Sequence, residues 1–215
     1  MTNRSYVELL HPKQPGFVLV TNAYKKYSLM RYGISHFYQF EAVHDMMSGI
    51  PDACVDIIFC SNGNKLETKV AGTPLEKIDV ETMNRCDHFG VRFLPGYNPV
   101  GRHVKLEELV GKEIRYDELF DSISERDEFF EKIWSAKTFE QKIKVFLSYY
   151  IKIYDEDKYE SYSLGCFLRK EIMQSGGNIK LNDLSEKTGY SLRYLNQVIS
   201  EEFGMPPKEL IRIIR

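Results

Sequence analysis

Asn178 to Arg215 reads NIKLNDLSEKTGYSLRYLNQVISEEFGMPPKELIRIIR, and the fold of the C-terminal part is decided here. Leu181 and Leu184 are spaced to face inward from a short helix, and Ser185 is small enough to let a second helix approach it. Thr188-Gly189-Tyr190 reads as a turn, with Gly189 supplying the positive φ that a tight reversal needs. Ser191 is placed to cap the next helix, whose buried side is Leu195, Val198, Ile199 and Phe203. Gly204 ends that helix and Pro206-Pro207 forbids its continuation. A last helix begins at about Pro207, with Leu210, Ile211 and Ile214 apolar. Two short helices across a glycine turn form a helix-turn-helix.

In such a unit the second helix enters the major groove with its N-terminal residues at base edges. The outward positions early on this helix are Leu192, Arg193, Asn196, Gln197 and Ser200. Arg pairs bidentately with guanine, and Asn or Gln with adenine, so Arg193, Asn196 and Gln197 are the candidate base readers. The same residue types also suit a solvated helix face with no DNA role. Charge does not choose between the two readings. The net charge is −2, so no global basic signal exists, and acids and bases nearly balance from Lys158 onward.

Working outward, Ser163 to Gln174 reads as a helix ended by Ser175-Gly176-Gly177-Asn178, preceded by a charged linker from Asp155 to Glu160. Thr138 and Gln141 form a capping box that opens a helix carrying Phe139, Ile143, Phe146, Leu147, Tyr150, Ile151 and Tyr154 as one stripe. Val145, Tyr149 and Ile153 widen its apolar surface, which calls for a second partner, either a dimer mate or another part of the chain. Leu106, Leu109 and Val110 fit a short helical turn, and a helix is expected within Asp117 to Trp134.

The first hundred residues read as β. Phe17 to Val20 is an apolar run, His36 to Val43 is aromatic, and Val55, Ile57, Phe59 and Phe89, Val91, Phe93 alternate with other residues as strands with one buried face do. Turn signals at Gly49 to Asp52, Ser61 to Asn64, Gly72 to Pro74 and Pro95-Gly96 punctuate them, a spacing that suggests a sandwich or barrel. No apolar run is long enough to span a bilayer and the N-terminus lacks a signal-peptide core, so a cytoplasmic location without membrane contact is expected. The four cysteines, Cys54, Cys60, Cys86 and Cys166, form no C-x-x-C pair, and reduced thiols are expected. The five histidines are dispersed with no H-x-H pair, so neither a metal site, nor a cofactor, nor catalysis is expected.

The C-terminal pattern resembles the first helix-turn-helix of AraC/XylS-type transcription regulators. The matching positions are Leu181, Leu184, Ser185, Gly189, Tyr190, Ser191, Tyr194, Leu195, Phe203, Gly204, Pro207 and Arg215. The family usually has Ala at Ser185 and often Phe at Ile199, and its groove-facing positions fall on Arg193, Asn196 and Gln197. Upstream, Pro51-Asp52-Ala53-Cys54-Val55-Asp56-Ile57-Ile58-Phe59 and Gly90-Val91-Arg92-Phe93-Leu94-Pro95-Gly96 are similar to two signatures of a sensor domain in that family, with Ala53 replacing a glycine. The resemblance implies an α+β chain: a cupin-like β-barrel sensor over 1–120, dimerising helices over 121–157, and a partial DNA-binding domain over 158–215.

A barrel of this kind implies a small-molecule effector, and the candidate lining is His36, Tyr38, Phe40, Phe59, Arg92 and Phe93, with Arg92 suited to clamping a carboxylate. Core aromatics and an exterior arginine are the plainer reading of the same residues. The family joins two helix-turn-helix units by a long helix, whereas this sequence stops where that helix would start. The expectation is therefore weak specific DNA binding by these 215 residues. They are either a piece of a longer regulator or a short form that acts through protein contacts with other regulators.

Overall fold

Alternation of large apolar residues builds the N-terminal part. The computed structural model describes residues 21–42, 46–61, 65–81, 86–155 and 162–214. Its strands are β1 (Thr21–Arg31), β2 (Ile34–Ala42), β3 (Met46–Gly49), β4 (Val55–Ser61), β5 (Leu66–Ala71), β6 (Ile78–Glu81), β7 (Asp87–Phe93) and β8 (Glu113–Arg115). Six of them form an antiparallel sheet in the order β1-β2-β7-β4-β5-β8, while β3 and β6 pair as a separate ribbon. Among the described residues β1 and β8 remain the sheet's two edges, so the closed barrel expected from the sequence is not formed. The apolar run at Phe17 to Val20 lies outside the described residues, as does the linker from residue 156 and the terminal Arg215.

The sheet has two unlike faces. Phe37, Val55, Ile57, Phe59, Val70, Phe89, Val91 and Phe93 point to one side and form the main core. That side is covered by α2 (Ile123–Ser135) and α3 (Phe139–Ile153), with Phe146 of α3 meeting Phe37 and Phe59 edge to face at 5.9 and 6.3 Å. Each helix starts as its sequence specifies: Ser122 accepts from the Glu125 amide, and Thr138 accepts from the Gln141 amide while Gln141 Oε1 accepts from the Thr138 amide. The second apolar side of α3 is met inside the chain, where Tyr149 stacks on Phe129 at 4.6 Å and on Phe120 at 5.4 Å. Val145 and Ile153 also pack against this core, so the surface that suggested a dimer contact is largely covered by the chain itself.

The C-terminal unit consists of α4 (Leu164–Gln174), α5 (Leu181–Thr188), α6 (Leu192–Phe203) and α7 (Pro207–Ile214). Its core joins Leu168, Ile172, Met173, Leu184, Leu195, Ile199, Phe203, Met205 and Leu210. This unit is docked on the sheet part. The short helix α1 (Leu106–Leu109) lies against α6, closely enough that a Cβ on Gly204 would fall 2.5 Å from the Leu106 carbonyl carbon. Arg169 of α4 is ion-paired with Glu202 of α6, and its guanidinium carbon stands 5.0 Å from the Tyr97 ring centre. Arg212 donates to the Leu75 carbonyl at 2.8 Å, and Ala53 is buried within the C-terminal core. No helix among the described residues is long and apolar enough to cross a membrane.

Candidate functional site

The second face of the sheet is polar where the first is apolar, and strand register fixes what meets on it. His36, Arg92 and Asp56 stand opposite one another on β2, β7 and β4, and Tyr38, Gly90 and Ile58 form the next row. Phe40, His88 and Cys60 form a third. Gly90 is required by its row: a Cβ there would sit 2.0 Å from the Tyr38 ring, which lies across β7. The open lane lets the Tyr38 hydroxyl reach β4 and donate to Asp56 Oδ1 at 3.2 Å.

Arg92 is the hub of this face. Its Nε and NH2 donate to Asp56 at 3.0 and 2.8 Å, and its NH1 lies 2.8 Å from Asp52 Oδ2. Burial opposes the charge on Arg92, but the two carboxylates outweigh burial and hold the guanidinium well above its usual range. Burial pushes the Asp56 carboxyl up, and Arg92 pulls it back only in part. The loop before β4 is tied down by the same group: Asp52 Oδ1 accepts from the Cys54 amide at 3.0 Å, and Thr73 Oγ1 accepts from the Asp52 and Ala53 amides at 3.1 Å each. Asp52, Asp56 and Arg92, the polar members of the two N-terminal signatures, thus form one charge cluster. Ala53 keeps the left-handed backbone (φ +59°) that a glycine would favour, held there by the Thr73 bond and by burial of its methyl.

Between this face and the β3–β6 ribbon lies a cavity of about 340 Å³. Its apolar walls are Tyr38, Phe40 and Ile58 from the sheet and Met47, Ile78 and Val80 from the ribbon. Its polar groups are Asp52, Asp56, Arg92 and His88 on the sheet side, with Lys69, Lys112, Glu113 and Asp79 also in the wall. The His88 ring stacks on Phe40 at 4.7 Å, nearly parallel, and its Nδ1–H donates to the Cys86 carbonyl at 3.0 Å. That bond leaves Nε2 as an acceptor, and it has no hydrogen-bond partner among the described residues. Burial lowers the His88 pKa, so the ring is neutral at pH 7.

Of the candidate effector residues, Tyr38, Phe40 and Arg92 line the cavity. His36 shares their face beside Arg92 but stands outside the lining, and burial first, then Arg92 and Lys26, drive its pKa down to about 3. Phe59 and Phe93 are not brought to this cavity: they point to the opposite face and are 2% and 0% exposed beneath the helices. Alternation already separates Phe93 from Arg92 by one residue, hence by one face. Arg92 is not a free clamp for an incoming carboxylate, because Asp52 and Asp56 occupy it. Sequence reasoning missed Asp56, His88 and the ribbon. The period-2 pattern carries a signal for the first two, since Asp56 alternates with Val55 and Ile57, and positions 88, 90 and 92 share a face.

The helix-turn-helix is built from its turn. Gly189 adopts φ +73°, its amide donates to the Ser185 carbonyl at 2.8 Å, and Ser185 Oγ donates to the Tyr190 carbonyl at 2.6 Å. Ser191 caps α6 by accepting from the Tyr194 amide at 3.3 Å. Leu195, Ile199 and Phe203 are buried, while Leu192, Arg193, Asn196 and Gln197 are exposed and Ser200 half-buried beside them. Asn196 donates to the Leu192 carbonyl, Ser200 to the Asn196 carbonyl and Gln197 to Glu201. Among the described residues no group of three His, Cys, Asp or Glu side chains is placed to hold a metal ion. Compared with family models, curated proteins and solved structures, the chain matches none of them.

Proposed function

We propose that this chain is a transcription regulator of the AraC/XylS type, in which α6 reads the DNA major groove and the sheet part senses a small effector. The observation that carries the reading is the α5–α6 unit itself. One side of α6 is locked into a core, and Arg193, Asn196 and Gln197 form an exposed strip toward its N-terminal end, with half-buried Ser200 one turn further on. Those are the side chains whose hydrogen-bonding patterns match base edges. The sensor reading is supported by the cavity, which we take as the interior of a cupin-like container formed by the sheet and the β3–β6 ribbon. A DNA reader of this kind works in the cytoplasm.

A change in DNA reading requires an effector that binds one arrangement of the two parts better than another. The loop at residues 51–54 supplies a physical connection: Asp52 belongs to the cavity wall, and Ala53, its neighbour, belongs to the C-terminal core. The reading is tested by selecting duplexes from a random pool at low salt and measuring binding by fluorescence anisotropy. Arg193→Ala, Asn196→Ala and Gln197→Ala are each expected to weaken the selected duplex by about 1–3 kcal/mol and to relax preference at one base pair. Lys132→Ala, on the exposed surface of α2, is expected to change nothing. Selection that yields no shared sequence, or variants that bind like the parent, would sink the proposal.

A further inference from the structure

We infer that the cavity under the β3–β6 ribbon takes an uncharged, mainly apolar small molecule that carries a hydroxyl group. This rests on the reading of the cavity as an effector site and is independent of DNA recognition.

Three observations point the same way. The first is charge: among the described residues, the ionic groups of the wall are already matched to one another. Asp56 accepts from Arg92 and Tyr38, while Asp52 accepts from the Cys54 amide and is ion-paired with Arg92. Lys26 stands beside Arg92, so two cations balance these two carboxylates. Lys69 donates to both oxygens of Glu113 at 2.8 Å. Lys112 and Asp79, opposite in sign, both lie exposed to water. An ion entering this cavity would give up its hydration without meeting an uncompensated counter-charge. Two of the five Arg92 N–H groups remain beyond these bonds. An anion that took them would stand against Asp52 and Asp56, whereas an uncharged oxygen would not.

The second observation is the surface on offer. Tyr38, Phe40 and Ile58 face Met47, Ile78 and Val80 across the cavity, so an apolar guest is repaid by the water it leaves. About 340 Å³ falls at the lower end of the roughly 300–1,000 Å³ range of small-molecule sites. The third is His88. It gives its Nδ1–H to the Cys86 carbonyl and keeps Nε2 as an acceptor, on a side chain that lines the cavity and is only 6% exposed. A wholly apolar guest would cut that lone pair off from water, at the cost of a lost hydrogen bond. A hydroxyl group supplies the donor and carries no charge.

The test is calorimetric titration of the full chain with benzyl alcohol, toluene, benzylammonium and phenylacetate at neutral pH. These probes share a ring and differ in the head it carries. Benzyl alcohol is expected to bind about tenfold or more tighter than either ion, and several-fold tighter than toluene. His88→Phe keeps a ring on Phe40 and deletes the acceptor. It is expected to bring the alcohol down to the level of toluene while toluene itself changes little. The comparison of alcohol with toluene is made on the unaltered chain, so it stands even where His88→Phe fails to fold. Either ion binding as tightly as the alcohol overturns the uncharged assignment while leaving an effector site in place. Toluene binding as tightly as the alcohol, or a folded His88→Phe that still prefers the alcohol, overturns the hydroxyl and its place at His88. No binding by any probe at millimolar concentration overturns both the assignment and the sensor reading of the cavity, and leaves DNA reading untouched.

Discussion

His36 is the residue whose surroundings contradict its chemistry most sharply. It is 4% exposed, beside the Arg92 guanidinium, with Lys26 on the neighbouring strand, and its pKa is lowered to about 3 from a usual 6.5. A lowered histidine pKa means that the unfolded chain takes up a proton that the folded chain refuses. Stability is thus complete above about pH 6.5 and drains away as pH falls toward 3. Between pH 7 and pH 5 this one group is expected to remove about 2 kcal/mol, read from urea midpoints, and His36→Gln is expected to flatten that slope. Arg92 acts at the same scale with a larger effect. Arg92→Ala strands two carboxylates on the sheet face and is expected to lose about 3–5 kcal/mol in the same assay. The residue types here were legible in the sequence, and alternation alone puts Arg92 and Phe93 on opposite faces. Their partners were not legible, because the register that sets His36, Arg92 and Asp56 in one row depends on pairing three strands far apart in the chain.

Helices were far more readable than strands, because their ends carry local chemistry. The capping box of α3, the Ser191 cap and the left-handed Gly189 all stand where the sequence puts them. Thr138→Ala is expected to cost about 1 kcal/mol through loss of the bond from the Gln141 amide, measured as a lowered urea midpoint without loss of α-helical signal. Strands β3, β6 and β8 span only three or four residues each, too few for a period of two to declare itself. β1 escapes for another reason: most of its positions are exposed or half-buried, so it has no apolar alternation to detect. The roof of the cavity went unforeseen for the same cause, since it is the β3–β6 ribbon. α4 shows the limit of pattern reading even in a helix, because Phe167 is exposed while Arg169, two residues on, is buried against Tyr97.

At the scale of the whole molecule, the two cores meet at a few well-defined points: the Pro51–Cys54 loop, α1 against α6, Arg169 over Tyr97, and Arg212 on Leu75. Thr73 governs the first of these by accepting two amides with one hydroxyl. Thr73→Val leaves both amides without that acceptor and is expected to cost about 1–3 kcal/mol, with faster hydrogen exchange at Asp52 and Ala53 as its local mark. If the loop couples the parts, the same change also weakens the effect of a cavity ligand on DNA affinity, which anisotropy with and without that ligand would reveal.

The placement of Ala53 has one more consequence, for how the molecule can be taken apart. A boundary near residue 157 separates sheet from helix-turn-helix on paper, yet Ala53 and Val110 from the first part belong to the hydrophobic cluster of the second. Cut there and expressed singly, the sheet piece would lose the apolar seat that holds residue 53 in its unfavourable backbone, and the helical piece would show solvent a bare apolar notch. Each half is expected to be less soluble and to melt lower than the same part does within the intact chain, and mixing the halves is expected to restore both.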